Sequence, residues 1–165
     1  MKNSIYDGSI PVFVKFLGNL LKLTNKGAQF AKRTKRSEKS LLSAKLAPDM
    51  YNFTQQIQYA YFTALEAGTT LSGKAMPEFA YDEKSVKELQ KSLVRAIAFL
   101  QSIKAKDFAN SEKKKVKTFL DEKKTFAGGH YVHMLAMPNF FFHVATAYDI
   151  LRRLGVKIGK DDYLG

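Results

Sequence analysis

Apolar residues that recur every three and four positions, in four separate stretches, constrain this chain more than any other feature. The cleanest run is Val86, Leu89, Leu93, Ile97 and Leu100. On an α-helix that spacing gathers all five on one face, so the segment must bury a stripe against other helices. Phe13, Phe16, Leu17, Leu20 and Leu21 repeat the pattern after Ser9-Ile10-Pro11. Proline suits a first turn because its missing N–H has no helical partner there. This first helix is expected to fade into the basic stretch from Lys32 to Lys39. Met50, Phe53, Ile57, Ala60, Tyr61, Ala64 and Leu71 make a third stripe, opened by Pro48 and stopped by Ser72-Gly73-Lys74. Asp82, with Ser85 as the rival, is the expected cap of the helix that holds Val86. The last helix is expected from about His130 to Leu154, between Gly128-Gly129 and Gly155. Pro138 falls inside it, and a proline that removes a ladder bond predicts a kink or break.

One stretch has a different period. Val116, Thr118 and Leu120 alternate with Lys117 and Phe119, and Asp121-Glu122-Lys123 offers a turn before Thr125-Phe126. This reads as a short β-hairpin, with a frayed loop as the alternative. Val156 to Gly165 reads as an irregular tail. A length of 165 residues and a hydrophobic content of 45% suit one domain of ordinary size with a proper core. The expected fold is therefore all-α over residues 1–165: four helices in a bundle, with a short hairpin or loop before the last.

Composition narrows the function. Cysteine is absent, which excludes disulfides and thiolate metal sites. Met1-Lys-Asn-Ser-Ile-Tyr-Asp has no apolar signal core, and no run of about 18 apolar residues marks a membrane span. A soluble, cytoplasmic protein of bacterial type is the expectation. Lys plus Arg outnumber Asp plus Glu by 27 to 15, a net charge of +12. One basic cluster holds Lys26, Lys32, Arg33, Lys35, Arg36, Lys39 and Lys45. A second holds Lys104, Lys106, Lys113, Lys114, Lys115, Lys117, Lys123 and Lys124. Such an excess attracts nucleic acid or another anionic partner. Most of these residues are lysines, hydrated point charges that read bases poorly, so a solvated surface is the competing account. No G-x-S-x-G, P-loop or G-x-G-x-x-G occurs.

The chemistry-bearing residues concentrate near Asn139-Phe-Phe-Phe-His143. His130, His133 and His143 are the only histidines. With His143 as origin and about 100° per residue, Asn139, Ala147, Ile150 and Leu154 lie within roughly 40° of it. Asp149, Arg152 and Arg153 point elsewhere. His143 is thus on or beside the apolar face, where an imidazole must hydrogen-bond or bind something. It is either a metal ligand or general base, or a core histidine bonded to Asn139 or a tyrosine. On the second long helix, Phe53, Gln56 and Ala60 lie within about 40° of Asp49, so Asp49 and Gln56 flank the stripe. The simpler role for Asp49 is a first-turn carboxylate on the helix dipole. His130 and His133, three apart, read as helix-start or loop residues. Tyr6, Tyr59, Tyr61, Tyr131 and Tyr148 either line a pocket or pack at the core edge.

Several segments together resemble one family: Tyr6-Asp-Gly-Ser-Ile-Pro-Val-Phe, Leu46-Ala-Pro-Asp-Met, Ile97-Ala-Phe-Leu, Pro138-Asn-Phe-Phe-Phe-His-Val-Ala-Thr-Ala-Tyr-Asp-Ile-Leu-Arg and Gly155-Val-Lys-Ile-Gly-Lys-Asp-Asp-Tyr-Leu-Gly. They resemble a bacterial family catalogued as a domain of unknown function and placed with the DinB-like (DinB/YfiT) metalloenzyme superfamily. The resemblance spans Tyr6 to Gly165. It implies a DinB-like four-helix bundle, commonly a homodimer. It also implies a divalent metal, nickel or zinc, held by one histidine on the second helix and an H-x-x-x-H pair on the last. Some members are thiol-dependent transferases or resemble maleylpyruvate isomerase. DNA synthesis is not implied. In this chain the last-helix pair is Asn139 and His143, and the second helix has no histidine. Asp49 or Gln56 is the nearest candidate by position. The implied metal set is then His143, Asn139 and Asp49, with His133 and Gln56 as further pocket candidates. The altered pattern favours the absence of metal, and a non-catalytic basic module is the alternative to a degenerate enzyme.

Overall fold

The computed structural model describes residues 4–165, so the part of the N-terminal reading that concerns Met1, Lys2 and Asn3 lies outside the described residues. Four long helices form the bundle: α1 (Ile10–Arg33), α3 (Phe53–Ser72), α4 (Val86–Ser102) and α6 (Met137–Leu154). Each packs on its neighbours in a closed ring, α1 on α4, α4 on α3, α3 on α6 and α6 on α1. Phe13, Leu17 and Leu20 of α1, Leu89, Leu93 and Leu100 of α4, and Phe140 of α6 are buried inside the ring. Phe13 meets Phe140 edge to face at 4.8 Å between centroids. No helix among the described residues is long and apolar enough to cross a membrane.

The start of α3 differs from expectation. Pro48 and Asp49 lie in a turn, and the helix begins after Asn52. Asn52 Oδ1 accepts the Gln55 N–H at 2.9 Å, and Gln55 Oε1 accepts the Asn52 N–H at 3.1 Å. This reciprocal box pairs two N–H groups that a start at Pro48 would leave open. Met50, expected in the buried stripe, therefore precedes the helix and is only half-buried. Ser85, not Asp82, caps α4, with the Glu88 carboxylate closing a second such box. Two short helices fall where loops were expected. Helix α2 (Glu38–Leu42) sits inside the first basic cluster and buries Leu41 and Leu42. Helix α7 (Lys160–Leu164) replaces the irregular tail. Tyr163 lies edge-on to Phe16 at 5.4 Å, and Asn19 Nδ2 donates to the Tyr163 carbonyl at 3.0 Å.

The regular α-helix expected from about His130 to Leu154 is interrupted just before Pro138. A short helix α5 (Gly128–Tyr131) runs through a π-helical turn, Val132–Ala136, into α6. Pro138 falls in the first turn of α6, and the wide turn before it accommodates the missing donor. Gly155 ends α6 with φ 95°, a left-handed cap that glycine adopts freely.

The hairpin is present as β1 (Lys115–Thr118) and β2 (Asp121–Ala127). Thr118 pairs with Asp121, so Phe119-Leu120 form the turn and Asp121-Glu122-Lys123 lie in β2. The reason is a distant anchor. Glu66 of α3 accepts the Phe119 N–H and the Thr118 hydroxyl, each at 3.0 Å, and the Tyr131 hydroxyl at 2.7 Å. Gly128 completes the junction: a Cβ there would lie 2.1 Å from the Ser111 carbonyl oxygen, so only glycine fits. Because three donors converge on one carboxylate, Glu66→Ala is expected to cost about 3 kcal/mol. It should also speed amide exchange in Lys115–Ala127 more than in α1 or α4. Chemical denaturation and hydrogen exchange check both.

Candidate functional site

Helices α3 and α6 share the most extensive contact in the molecule. They run antiparallel, because Gln56 faces His143 while the later Thr63 faces the earlier Asn139. His143 is buried at 5% exposure. Its Nδ1 lies 2.7 Å from Gln56 Oε1. A carbonyl oxygen only accepts, so Nδ1 carries the proton. The Gln56 amide is held from its other end, where Nε2 donates to the Tyr51 carbonyl at 3.2 Å. The remaining nitrogen, Nε2 of His143, has a bare lone pair and no hydrogen bond among the described residues. No fully enclosed side-chain nitrogen or oxygen lacks a partner there, so this atom is not sealed off.

Burial alone moves the imidazole pKa, down to about 4, because no anion faces the ring to stabilise its charged form. His143 is therefore neutral at physiological pH. Tyr59 stacks on it at 5.2 Å and 20° between planes, and Tyr51 stacks on Tyr59 at 4.7 Å with the two hydroxyls 3.1 Å apart. Phe142 presents its edge at 5.4 Å.

The other sequence candidates separate. Asn139 does not bond to His143; its Nδ2 donates to Thr63 Oγ1 at 2.8 Å. Asp49 is exposed in the turn before α3, so it is neither a first-turn carboxylate nor bonded to His143 or Asn139. His133 and His130 are exposed on a different cleft of about 470 Å³, which Glu112 also lines. Gln56 is the candidate that reaches His143. Tyr61 and Tyr131 are core residues whose hydroxyls donate to Glu83 and Glu66. Tyr59 does line a pocket, an aromatic cleft of about 380 Å³ shared with Gln55, Gln58, Phe62, Tyr81 and Phe119. Sequence reasoning missed Thr63, Glu66 and this cleft. The Asn52-x-x-Gln55 spacing was the one local signal available, since it moves the helix start and leaves Asp49 and Met50 outside α3.

A nickel or zinc site draws on imidazole, thiolate or carboxylate donors, usually three or more. The α3–α6 contact offers one imidazole and two neutral amides, and both amides are already hydrogen-bonded. Among the described residues no group of three His, Cys, Asp or Glu side chains is placed to hold a metal. The residues do not fit the metal that the resemblance implies.

The family model for Domain of unknown function (DUF1993) matches residues 5–164. The chain belongs to the DUF1993 family. The DUF1993 chain is also similar to a DinB family member protein from Shewanella denitrificans, whose crystal structure was determined at 1.83 Å resolution. The two are 33% identical, with a TM-score of 0.92 over 98% of this chain and 92% of that one. DUF1993 is thereby a domain of unknown function within the DinB-like superfamily. No curated protein matches the chain.

The depressed His143 pKa carries a pH signature. The unfolded chain binds this proton below about pH 6.5 and the folded chain only below about 4. The contribution is present above the unfolded value and is lost as pH falls through this window. Stability should drop by about 2 kcal/mol from about pH 7 to about pH 5 through this group. His143→Gln should flatten that part of the profile, as read by denaturation at each pH.

Proposed function

We propose that this DUF1993 protein is a DinB-like bundle that works without a bound metal, with His143 as a neutral hydrogen-bond acceptor for a small molecule. The Nδ1–Gln56 pair carries the reading. It fixes the tautomer that exposes the Nε2 lone pair, and it occupies the amide that lies nearest to the ring. A base whose pKa is near 4 removes protons weakly at neutral pH, so this geometry supports recognition over general base catalysis. Metal analysis of protein purified without a histidine tag should give nickel and zinc well below one per chain. Near-stoichiometric metal would contradict the reading. A Gln56→His, Asn139→His double variant supplies three imidazoles and should gain calorimetrically detectable nickel or zinc binding that the parent lacks.

A second reading rests on charge. The described residues contain three ion pairs, Lys26–Asp162, Lys74–Asp107 and Lys124–Asp121, against 27 basic residues in the chain. Lys113, Lys115, Lys117 and Lys123, at and within the hairpin, are exposed and make no ion pair among the described residues. This supports an anionic partner, nucleic acid included, held through sequence-independent contacts. Affinity for short DNA and RNA duplexes should then fall steeply with salt, and no binding at low salt would remove this reading. The homodimer implied by the resemblance is supported by exposed Met134 and Phe142 along the last helical segment.

A further inference from the structure

The aromatic cleft on the other side of Tyr59 carries polar chemistry of its own. Its α3 wall presents Gln55 and Gln58, three residues apart and hence on neighbouring positions of one face. Both amides have one end fixed, in opposite senses. Gln55 Oε1 accepts the Asn52 N–H at 3.1 Å, and a backbone N–H only donates, so the free end of Gln55 is the NH2 donor. Gln58 Nε2 donates to Glu83 Oε2 at 2.7 Å, and a carboxylate only accepts, so the free end of Gln58 is the carbonyl acceptor. Glu83 is held as a carboxylate. Burial works to raise its pKa, but hydrogen bonds from Ser92, Gln58, its own backbone and Tyr61 together keep it below the usual value.

The other walls are rings. Phe62 stands edge-on to Phe119 of the hairpin turn at 4.8 Å and to Tyr81 at 5.8 Å. Tyr81 adopts φ 53°, a left-handed backbone that is strained for a bulky residue. That conformation sets its ring parallel to Tyr61, at 5.4 Å and 14°. Strain of this kind gathers at ligand clamps.

We propose that this cleft binds a planar heterocycle through a cis-amide edge, its C=O accepting from Gln55 and its adjacent N–H donating to Gln58, with the ring packed among Tyr59, Phe62, Tyr81 and Phe119. Pyrimidine-diones and oxopurines have this edge, and a volume of about 380 Å³ suits one or two fused rings. The site draws no hydrogen bond from His143 and needs no metal; Tyr59, which stacks on His143, is the ring the two share.

The test is an NMR titration of the full chain with uracil and hypoxanthine, with 1,3-dimethyluracil as the ligand whose N–H groups are blocked. Gln55→Glu is the informative variant. Its carboxylate still accepts the Asn52 N–H and so keeps the helix cap, but it replaces the donor with an acceptor. Uracil or hypoxanthine should shift the side-chain amide signals of Gln55 and Gln58 and the rings of Tyr59 and Tyr81. Dimethylation, or Gln55→Glu at unchanged Tm, should weaken binding at least about tenfold, the worth of one hydrogen bond in a partly enclosed site. A short oligouridylate that binds more tightly than uracil would make a strand the source of the heterocycle; equal or weaker binding would make the free compound the ligand. The proposal is overturned if neither heterocycle binds at millimolar concentration, or if binding survives both dimethylation and Gln55→Glu.

Discussion

Helix α3 is buried on nearly every face, and each polar group it carries must find a partner inside the protein. The rest of the architecture follows from how those groups are matched. Thr54 donates to the Leu42 carbonyl and so ties α2 to the bundle. Gln56 and Thr63 meet His143 and Asn139 and set the register of α6. Glu66 collects the hairpin turn and Tyr131. Thr69 bonds back to the Leu65 carbonyl one turn earlier. Apolar packing closes the ring of helices, and these directional bonds select one arrangement of it.

The same helix separates two kinds of chemistry. Toward α6 its partners are neutral: the Asn139 amide and the His143 imidazole, which burial keeps uncharged. Toward the hairpin and the segment before α4 its surroundings include the carboxylates Glu66 and Glu83, each supplied with donors. A cation is therefore poorly served at the α3–α6 contact, where no charge compensates it. Tyr59 lies between these environments, stacked on His143 and lining the aromatic cleft.

The three-four spacings made α1, α4 and the body of α3 and α6 legible, because burial of a stripe is a local sequence property. The hairpin was legible from alternation, but its turn was not, since Glu66 lies far upstream of Phe119. Helix α7 was unreadable for a related reason: its few residues are held by Asn19, Lys26 and Phe16 of α1. The inward lean of His143 was correct from angular arithmetic. Its partner was Gln56 in place of Asn139, because helix–helix register depends on tertiary packing. Asp49 failed as a candidate once Asn52 and Gln55 moved the start of α3, although that spacing was present in the sequence.

The central claim is that the Gln56–His143 pair stands where the resemblance implies a metal. Long-range proton–nitrogen NMR of the histidine rings tests it most directly, with zinc and nickel added in turn. The account predicts that His143 is neutral near pH 7 with its proton on Nδ1, and that one equivalent of zinc leaves its ring-nitrogen shifts in place and nickel leaves its signals unbroadened. A proton on Nε2, a charged ring at that pH, or a metal-induced change at His143 at stoichiometric concentration would contradict it.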